Sequence, residues 1–172
     1  MRKGFTLVEI ILYVALLAIM MSAVLPIALQ LINSGTKSGV TQEVYQSARY
    51  VSERIMHEIR NANDVSIASS TFGVDLATTT GTALYLIGSS PTTDPTIFTV
   101  VNGVLQIRQG TDAPVALHSA DSQVSSLIFS NYSTSTYTNI GFVLTMKNAA
   151  TSTRQEYHAS TTIAASAEVR SK

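Results

Sequence analysis

Residues 10–35 carry no charged side chain, and Glu9 stands at the head of that stretch. Within it, residues 10–29 are apolar but for Tyr13, Ser22 and Pro26. A helix rises ~1.5 Å per residue, so ~20 apolar residues cross a ~30 Å hydrocarbon core. Helix is also the form in which one isolated segment satisfies all its backbone groups in lipid. Arg2 and Lys3 precede the run, as the positive-inside rule expects for a cytoplasmic start. Glu9 is the anomaly. A carboxylate near hydrocarbon costs at least about 2–3 kcal/mol and so points to a function, yet no basic residue lies within the stretch that follows.

A secretory signal peptide fits this segment poorly, because the apolar run is long and no A-x-A-like site closes it. A plain membrane anchor accounts for the run but not for Glu9 or the Gly-Phe junction. The string Gly4-Phe5-Thr6-Leu7-Val8-Glu9 resembles the class III signal of type IV pilins and type II secretion pseudopilins. That resemblance implies a leader of residues 1–4, cut by a prepilin peptidase between Gly4 and Phe5, and N-methylation of the new Phe5 amine. It implies that Glu9 neutralises the amine of a neighbouring subunit in a filament, and that Pro26 stands where many family members kink the helix. An α-amino group titrates near ~8, so cleavage would place a cation at the edge of the span. A buried pair of this kind makes wrong registers costly.

Downstream, residues 33–39 contain Gly35 and Gly39, which loosen the chain as it leaves the bilayer and disfavour a helix there without forbidding it. Val40, Val44, Ala48, Val51, Ile55, Ile59 and Ala62 then recur at spacings of three and four, predicting an amphipathic helix over 37–62. Arg49/Glu53 and Arg54/Glu58 are i, i+4 pairs on its polar side. Beyond residue 65 the period changes to two. Ser and Thr make up 42 of the 172 residues, mostly in this part, which favours strands and loops. Asn102-Gly103 predicts a type I′ hairpin between strands at 96–101 and 104–108, with Phe98 facing Ile107 and Val100 facing Leu105. Ile140, Phe142, Leu144 and Met146 alternate with polar or small residues, as do Tyr157, Ala159, Thr161, Ile163, Ala165, Ala167 and Val169. Segments 83–87, 115–118 and 124–129 are shorter strand candidates. The expected fold class is α+β: a long N-terminal helix, half membrane and half amphipathic, against one antiparallel sheet over 83–170. The expected division is leader 1–4, span 5–32 and globular part 33–172, and the resemblance implies a pilin fold.

The order ERIMHEIRNANDV, VLQIR, VSSLIFSNY, NIGFVLTMK also resembles minor pilin W and pseudopilin J. The chain lacks the cysteines with which many type IV pilins close a C-terminal loop. Its net charge is zero, which removes the broad attraction of a nucleic-acid binder. Lys147, Arg154, Arg170 and Lys172 form only a thin basic set for a DNA-uptake pilin. His57, His118 and His158 lack metal-ligand spacing, and no nucleophile–base constellation or phosphate loop occurs. Asp75, Asp94, Asp112 and Asp121 lie in or near loops, the kind of place where some pseudopilins bind Ca²⁺, but no EF-hand-like spacing supports such a site. Asn131-Tyr132-Ser133 is a glycosylation sequon.

The expected protein is a structural subunit of a pilus or secretion pseudopilus, with no catalytic residue, cofactor or metal. Its implied partners are the prepilin peptidase, sister subunits and an inner-membrane assembly platform, with nucleic acid not expected. Its implied location is the bacterial cytoplasmic membrane, then the cell surface. A membrane-anchored adhesion module and a competence pilin are the alternatives.

Overall fold

The structure, a computed structural model, describes residues 4–88, 90–151 and 153–170. One helix dominates it: α1, Leu7–Asn61, 55 residues and about 80 Å long. Its N-cap is Thr6, whose hydroxyl oxygen accepts the Glu9 N–H at 3.3 Å. It stops at Ala62, which turns to extended backbone while its N–H still bonds the Glu58 carbonyl.

The expected loosening at residues 33–39 does not occur. The helix runs unbroken through Gly35 and Gly39, with Thr36 and Thr41 hydroxyls bonding the carbonyls of Ile32 and Lys37. Both glycines lie in open space, so nothing there forces a turn. Their cost, about 1 kcal/mol each relative to Ala, is absorbed by a helix continued on both sides.

The strands are β1 (Asp64–Val65), β2 (Leu84–Ile87), β3 (Thr96–Val101), β4 (Val104–Gln109), β5 (Val115–Ala116), β6 (Ser122–Asn131), β7 (Asn139–Asn148) and β8 (Ser160–Glu168). They form two antiparallel sheets and not the single one expected: five strands in order β1-β2-β3-β4-β5, and three in order β6-β7-β8. The division falls between β5 and β6, whose connection leaves β6 meeting the end of the β3–β4 hairpin through one bond, Val124 N–H to the Gly103 carbonyl at 2.8 Å. The first sheet includes β1, outside the expected range. Tyr157 belongs to a 3-10 turn, Gln155–Tyr157, ahead of β8.

The hairpin register is the one its turn dictates. Asn102 and Gly103 both take positive φ, and Phe98 pairs with Ile107 and Val100 with Leu105. Phe98 and Leu105 are fully buried, as are Ile140, Leu144 and Met146 of β7. They join Val44, Ala48, Val51, Ile55 and Ile59 of α1 in one core. The C-terminal half of α1 lies along β8 and β7, so a stripe at helical spacing meets faces at strand spacing. Arg54 and Glu58 pair at 2.8 Å, and Arg49 and Glu53 at 2.9 Å.

Candidate functional site at the N-terminal helix

Among the described residues, none buries a side chain of the first half of α1. From residue 10 to residue 35 every side chain is exposed, and the helix is long and apolar enough there to cross a membrane. Each large apolar side chain left in water forgoes about 1.5–3 kcal/mol of burial. With more than a dozen of them on one cylinder, this half of the helix requires an apolar surrounding that the chain does not itself supply.

Gly4 and Phe5 precede the helix outside its hydrogen-bonded frame, and Phe5 is 72% exposed. The Gly4–Phe5 bond therefore sits in chain that no element protects, next to the helix end. Glu9 occupies the third helical position. Thr6 and Glu9 together have the spacing of a capping box, in which an N-cap Ser or Thr precedes an acid by three residues. A carboxylate in the first turn also opposes the partial positive charge of the helix N-terminus. Among the described residues no basic side chain forms an ion pair with Glu9, so its local partner is the helix end itself. The Thr-x-x-Glu spacing of this cap is legible in the sequence, where Thr6 otherwise stands only as part of the Gly4 to Glu9 string. Pro26 lies inside α1; lacking an N–H, it leaves the Ser22 carbonyl without its helical partner. The Ser22 hydroxyl bonds the Ile19 carbonyl at 2.8 Å.

The remaining candidates are structural. His118 accepts the Leu105 N–H on Nε2 at 3.0 Å, which leaves Nδ1 to donate to the Ser119 carbonyl at 3.0 Å. The ring nitrogens of His57, on the exposed side of α1, lie 3.0 and 3.3 Å from the Asn61 amide nitrogen. Asp75 receives the N–H groups of Ala77 and Leu127, and Asp94 that of Gly88. Among the described residues no three His, Cys, Asp or Glu side chains converge as metal ligands. The thin basic set does not assemble. Lys147 pairs with Ser160 at one end of the β7–β8 ladder, whereas Arg170 bonds the Arg60 carbonyl beyond the other end, about 27 Å away by strand rise. Lys172 lies outside the described residues.

The family described as prokaryotic N-terminal methylation motif matches residues 1–25. No curated protein and no solved structure matches the chain.

Proposed function

We propose that this chain is a prepilin-like structural subunit of a type IV pilus or a type II secretion pseudopilus. The observation that carries this reading is a methylation motif over residues 1–25 at the head of a helix whose apolar half is exposed among the described residues. A membrane anchor alone needs the apolar residues but not the motif. A filament subunit needs both: a membrane to wait in, and then a bundle of like helices to replace the lipid.

In this reading residues 1–4 are the leader, residues 5–32 the span and assembly helix, and residues 33–172 the globular domain. A prepilin peptidase cuts between Gly4 and Phe5 and the Phe5 amine is methylated. The Glu9 carboxylate then meets the Phe5 amine of a neighbouring subunit, exchanging a helix end for a full charge. Sister subunits and an inner-membrane platform are the partners, and the subunit passes from the cytoplasmic membrane to the cell surface. The resemblance of the C-terminal part to minor pilin W and pseudopilin J favours a minor subunit.

The test is the intact mass of the protein from its native host. The expected chain is 168 residues, the 172 of the sequence less the four of the leader, plus one methyl group. Full-length protein in a cell with an active peptidase would refute the reading.

A further inference from the structure

We propose that the groove between α1 and the start of β8 binds the phosphate of a phospholipid headgroup, with Lys37 as its cation. The proposal rests on the reading of α1 as a membrane span. The groove encloses about 570 Å³ and is lined by Ser34, Lys37, Ser38 and Tyr45 of the helix and by Ser160 and Thr161 of the strand. Lys37 is the first charged residue after Glu9. It is exposed and forms no ion pair among the described residues. The Thr41 hydroxyl in the same groove is spent on the Lys37 carbonyl, at 2.8 Å. An ammonium in a groove that serine, threonine and tyrosine side chains also line matches a phosphate, which accepts charge-assisted hydrogen bonds on several oxygens.

Position selects the source of that phosphate. The apolar run ends between residues 29 and 32, so Lys37 stands about 8–12 Å farther along the helix, within reach of the headgroup layer. The domain reaches the same level through Arg154, next to the helix face that carries Lys37. Arg154 approaches the Asn33 side chain at 3.5 Å, lies 5.8 Å over the Tyr157 ring and pairs with Glu156. Arginine and tyrosine at the end of a span are residues that settle in the membrane interface. A groove held there by two elements meets lipid phosphate at far higher local concentration than free phosphate.

The experiment uses the full-length chain in nanodiscs that mix phosphatidylglycerol with a galactolipid lacking phosphate, read by native mass spectrometry for retained lipid. One phosphatidylglycerol should be retained preferentially, Lys37→Gln should weaken that retention about tenfold, and Lys37→Arg should restore most of it. Lys147→Gln removes the same charge at the same end of the domain, outside the groove. Equal losses in Lys37→Gln and Lys147→Gln would mean diffuse attraction to the surface and overturn the site. Displacement of the lipid by excess inorganic phosphate would overturn the lipid as its occupant. Carbonate extraction tests the span separately. A chain that washes off the bilayer defeats the anchored reading along with the site, whereas an inserted chain without headgroup preference defeats the site alone.

Discussion

The Asp75 carboxylate accepts the N–H groups of Leu127 and Ala77, each at 2.9 Å, and so ties the loop before β2 to the outer edge of β6. Burial pushes its carboxyl up, but the Leu127 and Ala77 N–H groups and the Ser126 hydroxyl outweigh that, and the net shift is below the usual carboxylate value. The sign follows from linkage. A carboxyl lowered in the folded state stabilises the fold above its ordinary value, and that contribution is lost as pH falls through the ordinary value toward the folded one. Replacing Asp75 by Ala should cost about 1–3 kcal/mol by orphaning two donors. Urea melts from pH 7 to pH 3 should show a shallower acid limb in that variant. In the proposed filament, Glu9 is the other decisive residue. Glu9→Leu should insert and be cleaved normally yet fall several hundredfold in sheared filaments, because losing one partner of a buried pair costs about 3–5 kcal/mol. Glu9→Gln should fall less. Thr6→Ala supplies the control, since it removes only a cap worth about 1 kcal/mol. Filament losses as large in Thr6→Ala as in Glu9→Leu would assign the carboxylate to the helix end instead of to assembly.

At the scale of elements, α1 is one helix with two unlike halves. Its second half is fixed by Val44, Ala48, Val51, Ile55 and Ile59, all essentially inaccessible. An aspartate at Ile55 would bury an unpaired charge, and the cooperative thermal transition of the domain should disappear. A parental melt for Ile55→Asp would mean that the stripe faces water. At the junction between the halves, a Cβ added to Gly35 or Gly39 would meet nothing. Alanine at either position should raise helix stability by about 0.5–1 kcal/mol without altering the fold. Hydrogen exchange across residues 32–43 is the direct measure, and slower exchange is the expected result. β6 and β8 differ as sheet edges. The outer edge of β6 receives Gly73 and Leu76, whose N–H groups bond the carbonyls of Phe129 and Leu127. β8 instead has α1 laid along it.

For the whole molecule, the division of labour is between a body that buries its own core and a helix that must borrow one. A chain beginning at Thr36 keeps every residue of the shared core and discards the uncovered run. It should be a soluble monomer that folds without oxidant or added metal. Size-exclusion chromatography with light scattering, in the presence and absence of a chelator, checks both points. Aggregation of that chain, or unfolding by the chelator, would show that the body depends on something beyond its own side chains.

Much of this was written in local chemistry. Charge-free residues 10–35 form a contiguous apolar run, and Gly4 to Glu9 form a contiguous signal, and neither needs a tertiary contact to be read. The Asn102-Gly103 register is equally local, since a two-residue turn fixes every pair behind it. The long N-terminal helix was legible from its two apolar patterns, but not its regularity through Gly35 and Gly39, because glycine propensity is a weak term that neighbouring turns override. Nor was the split into two sheets: alternation says which way a side chain points, not which strand lies beside it. The roles of Asp75, His118 and Lys37 depend on partners 52, 13 and 123 positions away, at Leu127, Leu105 and Ser160. Only the folded chain brings those groups together, because contacts across such separations are decided by the packing of whole faces.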